Sequence, residues 1–331
     1  MMTRITRTLL RRLSMAAIGL LLAAPVAGVA QDMLARYGDR PVPVRLFSGV
    51  ARDLELLALV DGELELRPLG EAGSARVLVP LAEAGQFRLQ LILPDDFNTA
   101  RERIAEGNYD VAIGLMRPTV YPLVRFLAVP ADLLPIHDLV RDFAGALLVA
   151  GDLDEAVRLL GRLPLDQLDP GFFDLALQAI TRLIEANRAG EGLALLRSVP
   201  LTARTESWFP RLFGLAARLR TADRLPEALA VYERILAVPG TEWALRARLW
   251  TAYGQVRLGR VDEARTVLAA MATPARELRE FSLHQLVLAR IALAAGDSAA
   301  ALDAAAPGVV FSRIDDDWAA ELRWIVGQSY E

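Results

Sequence analysis

Two histidines, His137 and His284, are the only imidazoles among 331 residues, and the chain has no cysteine and no lysine. A nucleophile working near neutral pH needs an activating base, and imidazole is the usual one. His137 lies in Leu134-Pro135-Ile136-His137-Asp138, at the expected start of a helix, where a capping or surface role suits it. His284 follows Leu283 in an apolar helical pattern and reads as a satisfied core or groove histidine. Two histidines without cysteine do not make a dedicated zinc site. All 37 basic residues are arginine, as a GC-rich genome produces, so the phosphate-gripping lysine of a P-loop and the amine of a Schiff-base enzyme are both missing.

Paired carboxylates are the one catalytic device this composition retains. The clusters are Asp95-Asp96 and Asp315-Asp316-Asp317. Both immediately precede helical patterns, where acids complement the positive end of the helix dipole, so helix-start duty is expected of each. A two-acid glycosidase would also need a cleft. Gly296-Asp297-Ser298 has the look of a serine nucleophile turn, yet it falls at the same phase as Gly151-Asp152 and Gly107-Asn108, and no G-x-S-x-G string exists. The expectation is a non-enzymatic protein without metal or cofactor.

The elements that carry these residues repeat. A small residue returns every 36 or 37 places at Ala156, Gly192, Ala228, Ala264 and Ala301. A bulky apolar residue follows one helical turn later at Leu160, Leu196, Tyr232 and Leu268. Prolines expected to end each second helix stand at Pro164, Pro200, Pro239 and Pro274, with a degraded last copy at Ala305 and Pro307. Twelve residues before the small positions, stripes such as Val140, Phe143, Ala144, Leu147 and Leu212, Leu215, Ala216, Leu219 follow the i, i+3, i+4, i+7 spacing of one helix face.

These residues resemble the tetratricopeptide family, whose pattern runs W-x2-L-G-x2-Y, then A-x3-F, then P. Gly107-Asn108-Tyr109-Asp110-Val111-Ala112, Gly151-Asp152-Leu153-Asp154-Glu155-Ala156 and Gly259-Arg260-Val261-Asp262-Glu263-Ala264 match its central turn. The resemblance covers about residues 95 to 331. It departs at Ile180, which occupies a normally small site, in the mostly missing first-helix Trp, and in an added segment from Thr119 to Pro135. Trp324, Val326, Gly327 and Tyr330 resemble the opening half of one more copy, which either caps the array or continues past Glu331. The resemblance implies an α-solenoid of about six helix pairs whose first helices line a concave face. Counting from the small position of each first helix puts Arg141, Arg220, Tyr253, Arg257, Arg290, Trp324 and Gln328 near that groove. Arginine and aromatic residues are enriched at interface hot spots, and arginine binds carboxylates bidentately, so a protein or acidic peptide is the partner this face suits. Tyr253 and Trp324 could equally fill the core between repeats. The family's lysine-based grip on a C-terminal carboxylate has no counterpart here.

Between Val42 and Leu93 the period changes to two. Val42, Val44, Leu46; Leu64, Leu66; Val77, Val79, Leu81; and Phe87, Leu89, Leu91, Leu93 alternate with other residues, which marks strands with one buried face. Asp61-Gly62 is a type I′ hairpin signal. Five short strands resemble an SH3-like barrel. Arg4, Arg7, Arg11 and Arg12 precede an uncharged run from Leu13 to Gln31 that ends in Ala27-Gly28-Val29-Ala30, a secretory leader expected to be cleaved after Ala30. Losing four arginines and no acids there moves the net charge from −4 to −8, a poor balance for nucleic acid. The expected organisation is a leader at 1–30, a small β module at 31–94 and a mainly α repeat array at 95–331. Leader, small barrel and array together resemble exported bacterial envelope proteins. Their expected work is that of a periplasmic or secreted scaffold for protein–protein contacts, with membrane contact only through an uncleaved leader. The alternative is a glycan or peptidoglycan binder that uses the β module.

Overall fold

The computed structural model describes residues 32–330, so the expected leader lies outside the described residues. The described chain is mainly helical, with one five-stranded antiparallel sheet. It divides into two compact units that meet between Glu155 and Ala156. Among the described residues no helix is long and apolar enough to cross a membrane.

The first unit opens with a short helix α1 (Met33–Tyr37) and then the strands β1 (Val42–Ser48), β2 (Val50–Val60), β3 (Glu63–Pro68), β4 (Val77–Pro80) and β5 (Arg88–Leu91). Their order across the sheet is β4-β3-β2-β1-β5. Alternation sorts the side chains as expected: Val42, Val44, Leu56, Leu64, Leu66 and Leu89 are buried. The opposite face carries cross-strand ion pairs, Arg45–Asp53 at 2.6 Å and Arg67–Glu55 at 2.5 Å. Asp61 and Gly62 both have positive φ, 51° and 80°, as a type I′ turn requires. The sheet is open, which corrects the expected barrel. Its two edges, β4 and β5, are four residues each and are joined by a 3-10 turn over Leu81–Gln86 instead of pairing. A single irregularity, between Leu56 and Ala58, supplies less bending than closure needs.

Helices α2 (Asp95–Ala105), α3 (Tyr109–Leu123) and α4 (Ile136–Ala150) complete this unit, and α5 (Leu153–Leu160) spans its boundary. Asp95 and Asp96 occupy the first turn of α2, the helix-start position expected of them. Beyond Glu155 follow α6 (Pro170–Glu185), α7 (Ala189–Ser198), α8 (Phe209–Thr221), α9 (Leu225–Leu236), α10 (Ala244–Arg257), α11 (Val261–Ala269), α12 (Arg279–Ala294), α13 (Ser298–Phe311) and α14 (Ala319–Ser329).

Six turns join helices in the same way. Gly107, Gly151, Asn187, Asp223, Gly259 and Gly296, spaced 44, 36, 36, 36 and 37 apart, all take positive φ. At each, the next residue's N–H reaches the carbonyl five residues back, as in Asp152 to Leu147 at 3.0 Å and Arg224 to Leu219 at 2.8 Å. That bond is the Schellman cap, which ends one helix and aims the chain into the next. The two copies without glycine add a side-chain contact to the following copy. Asn187 Oδ1 accepts from Arg224 Nη2 at 2.6 Å, and Asp223 Oδ1 accepts from Arg257 Nη2 at 3.4 Å.

All five small positions are buried. At Gly192 an added Cβ would sit 3.2 Å from the Ile180 carbonyl oxygen and 3.3 Å from Ile184 Cγ1, so α6 and α7 approach more closely than alanine allows comfortably. Pro164, Pro200, Pro239 and Pro274 follow the ends of α5, α7, α9 and α11. Pro307 does not end its helix: α13 continues through it to Phe311. Packing outweighs the lost hydrogen bond there. Neighbouring Gly308 lets α12 and α14 close on the helix, and a Cβ at that point would lie 3.0 Å from Gln285 Cβ and 2.8 Å from Leu322 Cδ2.

Polar contacts in the second unit recur at the repeat interval. Arg246 and Glu280 pair at 2.7 Å, Arg211 and Asp174 at 2.8 Å, and Trp318 Nε1 donates to Ser282 Oγ at 2.9 Å. The Asp315-Asp316-Asp317 cluster belongs to this set and not to a helix start, because α14 begins at Ala319 with Glu321 as its first-turn acid. Asp316 is buried and pairs with Arg279, the Asp315 carbonyl accepts from Arg279 Nη2 at 3.1 Å, and Asp317 turns to Arg220.

Candidate functional site

Five of the seven residues expected near the groove meet in the second unit. They reach one another from α8, α10, α12 and α14. Arg220, at the end of α8, lays its guanidinium 3.2 Å from the centroid of the Trp250 ring and pairs with Asp317 at 2.6 Å. Tyr253, one turn after Trp250 on α10, donates its hydroxyl to Glu321 on α14 at 2.9 Å and accepts from Arg257 Nη1 at 3.0 Å. Arg290 of α12 pairs with the same Glu321 and lies 5.1 Å from the centroid of Trp324. The contacts Arg220–Asp317 and Tyr253–Glu321 span 97 and 68 residues, so they skip whole repeats where Arg246–Glu280, Arg211–Asp174 and Arg279–Asp316 join neighbours.

Burial divides this cluster. Tyr253 is 5% exposed and belongs to the core between repeats, whereas Trp324 is 52% exposed. Burial, and then the charge of Glu321, push the Tyr253 phenol above its ordinary pKa, while the hydrogen bond to Tyr253 raises that of Arg257. A phenol held protonated in this way is a fixed donor to Glu321. The remaining two residues are Arg141 and Gln328. Arg141 lies in the first unit, on α4, and pairs with Asp138 one turn earlier at 2.5 Å. Gln328 is exposed on the last turn of α14.

A groove of about 760 Å³ lies between α6 and α8, the first helices of consecutive copies. Asp174, Leu177, Gln178, Thr181, Arg182 and Glu185 line it from α6, and Arg211, Gly214 and Arg218 from α8. Arg218 Nη2 approaches Thr181 Oγ1 at 3.5 Å, and Gly214 leaves open space where a Cβ would stand. None of these residues was expected, because Ile180 at a normally small position hid the register of α6. The usable signal was the polar stripe Asp174, Gln178, Thr181, Glu185 along that helix.

A second unexpected constellation lies in the first unit. Glu155, 3% exposed, accepts Arg117 Nε at 2.9 Å, Arg117 Nη2 at 2.6 Å and the Tyr121 hydroxyl at 2.8 Å. Burial alone would raise its pKa, and the hydrogen bonds from Arg117 and Tyr121 outweigh burial and hold it below its usual value. Burial raises Asp152, whose Oδ1 accepts the Glu155 backbone N–H at 3.2 Å. With every oxygen engaged by a cation or hydroxyl from α3, Glu155 acts as a clamp between α3 and the start of α5.

Both histidines lie on the helices expected, but His137 is half-buried and His284 lacks the partner at Nδ1 that a satisfied core histidine would have. His137, at the start of α4, lies 2.9 Å from the Leu127 carbonyl oxygen. His284 is buried in α12 with its Nδ1 unpartnered, and burial lowers its pKa. Asp297 caps α13 by accepting the Ala300 N–H at 2.9 Å, the duty its repeat phase implies. Among the described residues no group of three or more His, Asp or Glu side chains could hold a metal ion. No family model matches the chain, and no curated protein matches its sequence.

Proposed function

We propose that the chain is an exported, non-enzymatic scaffold of the bacterial envelope, a tetratricopeptide-like solenoid that holds a protein partner along its first helices. One observation carries this function. The chemistry-bearing side chains are spent on joining one helix to the next, while the α6–α8 groove stays open and is lined by three arginines against two acids. The exposed Trp324, with Arg290 over its ring, offers an aromatic anchor of the type that dominates interface energetics. An acidic segment suits this set, since guanidinium groups take carboxylates bidentately. The glycan alternative finds less support, because the sheet's open face is occupied by ion pairs and its exposed large aromatic residue is Phe47 alone.

The test is site-specific photocrosslinking in envelope preparations, with the photoreactive residue at Gln178 or at Asp303 on α13. A scaffold of this kind gives one defined protein adduct from Gln178, which a glutamate-rich peptide competes away and which Arg182→Glu with Arg218→Glu abolishes while the melting temperature holds. Equal adducts from both positions, or indifference to the charge reversal, would remove the groove as the partner site.

A further inference from the structure

We infer that the end of the β1–β2 hairpin is a membrane-docking tip that recognises an anionic lipid surface, a site independent of the helical groove. Val50 is 72% exposed and Phe47 40% exposed, at the point where β1 turns into β2 through Gly49 with φ 87°. The register places them on opposite faces. Ser48 and Val50 pair, as do Leu46 and Arg52, so Val50 and Arg52 share one face. Phe47 pairs with Arg88 of β5, so these two share the other.

Arg52 and Arg88 are both exposed, and neither has a carboxylate partner among the described residues. Their neighbours differ: Arg45 and Arg67 of the same sheet, and Arg76 just before β4, are each paired with an acid. Each face of the tip therefore carries one exposed apolar side chain and one uncompensated cation.

That pairing fits an interface between headgroups and acyl chains, where apolar groups enter and arginines stay with phosphate. Protein partners fit less well. A stable protein interface needs about 800 Å² on each side with an apolar centre on one surface. Here two apolar side chains point to opposite sides of a protruding end, which suits endwise entry into a fluid phase. Membrane contact is thus not confined to the leader.

The chain has no cysteine, so Val50→Cys in the full-length protein carries a single environment-sensitive fluorophore at the tip. Leu78→Cys on β4, at the far edge of the sheet, places the same probe away from it. Vesicles of phosphatidylglycerol and phosphatidylethanolamine should shift the tip probe to the blue. Phosphatidylcholine vesicles should not, and the probe at residue 78 should respond to neither. Adding Arg52→Gln and Arg88→Gln should raise the anionic lipid needed by about thirtyfold, since each arginine near such a surface is worth about a factor of five. Arg76→Gln, an equal loss of charge outside the tip, should change it little. Far-ultraviolet circular dichroism confirms that each variant is folded. An unshifted tip probe, an equal response to neutral vesicles, or an Arg76→Gln effect as large as that of Arg52→Gln would overturn the assignment. A shift produced by polyglutamate but not by anionic vesicles would overturn it in favour of an acidic protein.

Discussion

Removing the Glu155 carboxylate should cost the first unit more than any other single side-chain truncation of a polar group there. Glu155→Ala leaves the Tyr121 hydroxyl, on a residue 3% exposed, without its acceptor, and the partly buried Arg117 without its main counter-ion. Breaking a buried pair from one side costs about 3–5 kcal/mol. Glu155→Gln keeps an acceptor for Tyr121 but gives up the charge-assisted bonds, for about 1.5–3 kcal/mol. The assay is urea unfolding with the slope checked for constancy, read alongside hydrogen exchange in α3 to separate this unit from the other. A cycle with Arg117→Ala isolates the pair, and the two single losses should sum to well over the double. The pH dependence has a definite sign. The folded pKa of Glu155 is depressed below its ordinary 4.5, so its contribution is fully present above that value and is lost as pH falls through the folded pKa. Glu155→Gln should therefore flatten the acid limb of the stability curve. A loss under about 1 kcal/mol for Glu155→Ala, with additive behaviour in the cycle, would refute the clamp.

Burial lowers the pKa of His284 from 6.5, so stability should fall as pH drops below that value, and urea midpoints of His284→Gln should change less between about pH 7 and about pH 5. Gly259→Ala meets no atom within 4 Å and loses no hydrogen bond, so its cost is that of a left-handed backbone alone, about 1 kcal/mol by thermal unfolding. Trp324→Ala should shift stability by no more than the cation–π contact, about 0.5–1 kcal/mol, while weakening partner capture at least tenfold in a titration.

Local chemistry made much of this architecture readable. Period-two runs gave the strands, Asp61-Gly62 gave a turn whose φ values agree, and the small residues from Ala156 to Ala301 marked buried sites at each repeat. Closure of the sheet was not readable, because it depends on whether β4 reaches β5 and not on either strand's own pattern. Pro307 misled for a related reason, since packing at Gly308 sustains the helix around it. Counting one helix face named Arg220, Tyr253, Arg257, Arg290 and Trp324 as groove residues, but not that they meet one another. The acids they meet, Asp317 and Glu321, lie outside that count, because they arrive from three and two repeats away. Ile180 concealed α6 and with it the groove.

Those two long-span contacts tie α8 and α10 to the start of α14. A ladder of neighbour-to-neighbour pairs is indifferent to how many rungs it has, so duplication or excision of one 36-residue module elsewhere would leave each remaining joint intact. Between Arg220 and Glu321 that freedom ends. Inserting or deleting a module between Tyr253 and Asp317 would carry Asp317 away from Arg220 and Glu321 away from Tyr253 at once. This segment is a gauge of fixed count, and its evolution should proceed by point substitution instead of by change in repeat number.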